Sequence, residues 1–166
     1  LKTGAGVGEF FVGVICWAMK KMQLIYQQFE SNACALSDKD ALIFEQLRFS
    51  FSQIQNLVHN LDEVLNPFLS QQNSALIVLS DNGILTPCLA IVASKNKSTV
   101  IPAATGLRKR QLISLFEVAQ PNVMVVTEKI FLATSMKSFL DELWFDVIVV
   151  RSSVDIKVVA LFTSQK

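Results

Sequence analysis

Short, unbroken apolar runs spaced by about a dozen residues constrain this chain more than any other feature. Ala75-Leu76-Ile77-Val78-Leu79, Val123-Met124-Val125-Val126 and Val147-Ile148-Val149-Val150 contain no polar position. A strand with one wet face alternates apolar and polar residues, so a continuous run belongs to a strand buried on both faces. Strands linked through helices require crossovers, and crossovers give a mostly parallel sheet. The class is therefore α/β, with helices on both faces of the sheet.

The connecting segments carry their own signals. Ile25, Phe29 and Ala33 follow Leu24 at near-helical spacing and predict a short helix ending before Ser37-Asp38. Ala41 to Phe44 and Leu47 to Phe49 flank Glu45-Gln46 as the arms of a hairpin. Ser50-Phe51-Ser52-Gln53 has the S-x-x-Q form of a capping box. Behind it Ile54, Leu57, Val58, Leu61 and Leu65 share one helix face, and Asn66-Pro67 is expected to end the helix. Ser80-Asp81-Asn82-Gly83 reads as a turn and Ile84 to Ser94 as a helix with Pro87 in its first turn. Asn96 is the expected left-handed helix end. Ser98 to Ile101 and Val158 to Phe162 are further strands, and Leu107 to Ala119 and Ser135 to Leu143 further helices.

Half the chain is hydrophobic (51%), with a mean hydropathy of +0.42. A membrane reading fails on length, because the early run Phe10 to Met19 covers ten residues and a spanning helix needs about twenty. A net charge of +1, with Arg108-Lys109-Arg110 the one basic cluster, excludes a nucleic-acid face. Cys16, Cys34 and Cys88 are far apart and show no metal-ligand spacing. They read as buried free thiols of a reducing, cytoplasmic compartment. Gly4-Ala5-Gly6-Val7-Gly8 lacks the third glycine of a dinucleotide loop, since Glu9 follows.

Side chains able to do chemistry are few. His59, the single histidine, lies on the polar side of its helix and reads as a surface residue. Asp81 follows an apolar strand, where α/β sheets bind ligands, although turn formation explains it as well. Arg108-Lys109-Arg110 reads as a solvated helix start, with phosphate binding the alternative, and Trp17 and Trp144 read as packing residues.

The order of segments resembles the adenylate-forming (AMP-binding) superfamily of acyl-CoA synthetases, nonribosomal peptide synthetase adenylation domains and luciferase. Ala41-Leu42-Ile43 and Phe49-Ser50-Phe51-Ser52-Gln53-Ile54 match its A-L-I and L-T-Y-x-E-L elements. Leu89-Ala90-Ile91-Val92-Ala93-Ser94-Lys95 and Val100-Ile101-Pro102 match its L-A-x-x-K-A-G helix and the strand after it, without the glycine. Val123 to Glu128 matches A-x-V-V-I-T-D. Asp155-Ile156-Lys157-Val158-Val159-Ala160-Leu161-Phe162-Thr163-Ser164 matches the approach to the family phosphate loop, D-x-A-x-I-L-F-T-S-G-T-T-G-x-P-K-G, and then Gln165 and Lys166 follow.

The resemblance implies the N-terminal portion of an adenylating-enzyme large domain, a Rossmann-like sheet preceded by a small hairpin. Residues 22–166 would form this incomplete domain, and residues 1–21 would lie outside it. It also implies ATP and Mg²⁺ as the family's cofactors, and a carboxylic-acid substrate with a thiol acceptor as its partners. Thr163 and Ser164 would be the remnant of the ATP phosphate loop, with no catalytic or metal-binding residue in the chain. Without the glycines and lysine of that loop, the chain is expected to bind neither cofactor and to be inactive alone, and to self-associate through exposed apolar surface. Two alternatives stay open: a non-catalytic α/β interaction or regulatory module, and an unrelated α/β domain tethered to a membrane by its first twenty residues.

Overall fold

The computed structural model describes residues 25–134 and 143–164. The expectations for residues 1–21, for Cys16 and Trp17, and for a helix over residues 135–142 lie outside them. A helix over residues 25–35 (α1) precedes the hairpin of β1 (Asp40–Phe44) and β2 (Leu47–Ser50). These strands pair antiparallel around Glu45, whose φ of 54° sets the turn.

Ser50 then starts α2 (Phe51–Leu69) through both bonds of the capping box. Its side-chain oxygen accepts from Gln53 N at 3.3 Å, and the Gln53 side chain accepts from Ser50 N at 2.8 Å. The helix does not stop at Asn66. Pro67 sits in its last turn, and the helix continues to the fully buried Leu69. A proline within a helix forfeits the bond its N–H would make to the preceding turn, and here burying Leu69 offsets that loss.

Next come β3 (Ala75–Leu79), α3 (Leu85–Asn96), β4 (Thr99–Pro102), α4 (Lys109–Ala119) and β5 (Val123–Thr127). The chain continues through α5 (Glu128–Ala133), β6 (Asp146–Val150) and β7 (Val158–Phe162). The strands align in the order β4-β3-β5-β6-β7. The first four are mutually parallel, and β7 runs antiparallel on the edge. A mostly parallel α/β sheet with a leading hairpin is thus what the chain forms.

Strand pleating divides the core in two. Leu76, Val78, Val123, Val125, Ile148 and Val150 point to the face covered by α2 and α3. Ile77, Leu79, Met124, Val126, Val147 and Val149 point to the face covered by α4 and α5. Consecutive residues therefore serve opposite cores, which is why the strands tolerate no polar position.

Several local readings shift. The left-handed end of α3 is Lys97 (φ 56°), not Asn96. Asn96 stays helical because its side-chain amide donates to Asp62 Oδ1 at 2.7 Å and to Val92 O at 3.0 Å. Gln120 plays the left-handed part after α4, with φ 43°. Helix α5 starts directly from β5, with no turn residue to announce it.

Candidate functional site

Because β7 runs against its neighbours, the two positions singled out for ligand chemistry fall at opposite ends of the sheet. Asp81 follows β3 at the carboxyl end of the parallel strands. Thr163 and Ser164 follow β7, whose Phe162 pairs with Val147 at the amino end of β6. A five-residue strand such as β6 separates the two ends by roughly 16 Å. The fold does not bring these residues together.

The carboxyl end is closed by the chain itself. Ile84 N and Leu85 N donate to Ser153 O at 2.9 and 3.0 Å, and Ser153 Oγ donates to Asn82 O at 3.0 Å. Gly83 lies under this contact, and a Cβ there would stand 2.6 Å from Ser153 O. Asp81 pairs with Lys129 at 3.5 Å, both side chains being well exposed. Buried beside them is Thr127, whose Oγ1 has no hydrogen-bond partner among the described residues.

A recess of about 560 Å³ opens at the amino end, lined by Pro67, Phe68, Gln71, Gln120, Pro121, Asn122, Trp144 and Asp146. Asn122 Oδ1 accepts from Ala75 N at 2.8 Å, which pins the loop before β5 to β3. Asp146 Oδ1 accepts from Ser164 N at 2.8 Å. Trp144 packs its plane edge-on against Phe145 at 5.7 Å and stays 46% exposed. Packing therefore explains only part of this tryptophan.

The residues around Thr163 and Ser164 do not fit a nucleotide triphosphate by themselves. The Ser164 amide already faces the Asp146 carboxylate, whose charge would repel phosphate. No described glycine adjoins it, and no group of three metal-ligating side chains occurs among the described residues.

The other candidates resolve simply. His59 is exposed and lies 3.3 Å from Glu63 on the same helix. Arg108 N donates to Gln111 Oε1 at 2.9 Å, and the basic start of α4 is solvated. Cys88 is buried, and burial pushes its thiol up to about 12, so it is a packing group. Cys34 departs from expectation: it is exposed, because it falls on the outer side of α1. Sequence reasoning passed over Gln71, Gln120, Asn122, Asp146 and Thr127. The available signal was a polar residue directly before an apolar run, as Asn122 and Asp146 are.

No protein-family model matches the sequence, and neither does any curated protein. Solved structures do. A variant coronafacic acid ligase from Pectobacterium brasiliense is 12% identical, with a TM-score of 0.67 over 78% of this chain and 27% of that one. A benzoate CoA ligase from Burkholderia xenovorans is 11% identical, with a TM-score of 0.65 over 78% of this chain and 26% of that one. The N-terminal subdomain of NpsA from Klebsiella oxytoca, in complex with 3-hydroxyanthranilyl-AMSN, is 14% identical, with a TM-score of 0.55 over 61% and 26%. The chain thus spans about a quarter of the length of each of these structures. What it shares with them is the fold.

Proposed function

We propose that this chain, which has the fold of the N-terminal part of adenylate-forming enzymes, serves as that part of an ATP-dependent acyl-activating ligase. The observation that carries the reading is the run of hairpin, capped helix and β4-β3-β5-β6-β7 sheet, which supports a ligase scaffold at a TM-score of 0.67. In this reading residues 22–166 are the scaffold and residues 1–21 an extension. Thr163 and Ser164 are the first residues of a phosphate loop, held at the strand end by the Ser164 amide on Asp146. Substrate, thiol acceptor, ATP and Mg²⁺ would belong to the assembled enzyme, whose setting is cytoplasmic.

The glycines of the family's phosphate loop are not among these 166 residues, so on this reading its backbone cradle is not formed by them. The isolated chain therefore forms no acyl-adenylate and hydrolyses no ATP. Loss of one preorganised donor costs on the order of 100-fold, and here the whole set is missing. Pyrophosphate exchange with a panel of fatty, aromatic and amino acids should stay at background. Exchange above background that disappears in a Thr163→Ala, Ser164→Ala double variant would sink the inactive reading.

A second reading, as an interaction module, draws on β7. Val158, Val159 and Leu161 are 36%, 40% and 50% exposed on an edge strand, the kind of surface that self-associates or receives a partner.

A further inference from the structure

Among the described residues, the charge at the amino-end recess is of one sign. Helix α2 ends there at Leu69, contributing Pro67 and Phe68, and α4 ends there just before Gln120. Helix C-termini hold partial negative charge in their unpaired carbonyls. Neither helix has a basic residue in its last turn to offset that charge. Asp146 adds a full negative charge, and no lysine or arginine is among the lining residues.

Trp144 supplies the remaining element. Nearly half exposed, its indole offers a π surface, which attracts cations. Pro67, Phe68 and Pro121 add apolar walls, and Gln71 and Gln120 add amide oxygens able to accept from an N–H. About 560 Å³ lies within the usual range for small-molecule sites.

We infer that this recess binds a small organic cation, a primary ammonium carried on an aromatic or apolar body. The ammonium sits between the Asp146 carboxylate and the two helix ends, and the body lies along Trp144 and the prolines. Anions are rejected by the same charges. This site adjoins Ser164, whose amide donates to Asp146, and its test uses no ATP, so it stands or falls separately from the proposed ligase role.

Phenethylamine is the probe, with 2-phenylethanol and phenylacetate as its neutral and anionic counterparts. In the full chain carrying Trp17→Phe, the emission of Trp144 reports binding. Phenethylamine should titrate it saturably with a Kd of about 1 mM or tighter, while the two counterparts give at least about tenfold weaker responses. Asp146→Asn keeps an oxygen for the Ser164 amide but removes the charge, and should weaken phenethylamine about tenfold. Trp144→Phe, followed by calorimetry, should weaken it as well. Absence of saturation up to about 20 mM, equal binding of the alcohol or the acid, or indifference to Asp146→Asn in a folded variant each overturns the inference.

Discussion

The carboxyl and amino ends of the parallel strands are built in opposite ways. At the carboxyl end, Gly83 lets the Ser153 loop press onto the start of α3, where two backbone amides share the Ser153 carbonyl. At the amino end, two helices finish without charged caps and leave a recess beside Asp146 and Trp144. Open α/β sheets ordinarily bind ligands outside the carboxyl ends of their strands. In this chain the described part of that end is filled by its own loop. Topology says where a crevice tends to form, and loop packing decides whether it stays open.

Gly83→Ala tests the closed carboxyl end most severely. The new methyl would sit 2.6 Å from Ser153 O, a backbone atom that cannot rotate away. A loss of about 3 kcal/mol in urea unfolding is expected, the upper part of the overpacking range. A loss under about 0.5 kcal/mol, the scale of ordinary surface changes, would mean that the carboxyl end is not tightly closed.

At the amino end the matching test is Asn122→Ala. It strips the acceptor from Ala75 N, leaving a nearly buried amide unpaired. About 1.5 kcal/mol should be lost in the same assay, since an orphaned buried donor costs roughly 1–3 kcal/mol. An unchanged midpoint would show that water replaces the side chain, making this end wetter than its geometry suggests.

Thr127→Val should produce the smallest change, with the opposite sign. Valine keeps the shape of threonine and removes a buried oxygen that finds no partner among the described residues. A gain of about 1 kcal/mol is expected, within the cost of an unsatisfied group. Destabilisation instead would reveal that the hydroxyl is bonded in solution, and the carboxyl end would then contain a polar contact that the static structure lacks.

Much of the fold was legible because local physics and tertiary need agree. The capping box at Ser50 forms both of its bonds, since its partners lie three residues apart and need nothing from the rest of the molecule. The strands β3, β5 and β6 fall within a residue of their apolar runs. Where a distant residue intervened, reading failed. The local pattern points to Asn96 for the left-handed position, but Asp62, thirty-four residues away, holds the Asn96 amide and Lys97 takes it instead. Asn66-Pro67 has the form of a helix stop, yet buried Leu69 carries α2 past it.

The candidate site divides along the same line. Thr163 and Ser164 could be singled out from their neighbours in the chain, but not their position at the amino end. The run Val158 to Phe162 is apolar throughout like the central strands, yet it lies exposed on the edge and pairs antiparallel, which reverses the direction in which the strand delivers its tail. The recess assembles from three separate stretches: the end of α2, the α4–β5 junction and the start of β6.

By itself the sequence determined the elements, the two-faced burial of the central strands and the class of fold, because periodicity and caps act over a few residues. Only the tertiary structure decided which end of the sheet is sealed and which is open. That depends on a glycine meeting a serine seventy residues later and on two helices from opposite faces of the sheet ending at one recess, arrangements that no local pattern encodes.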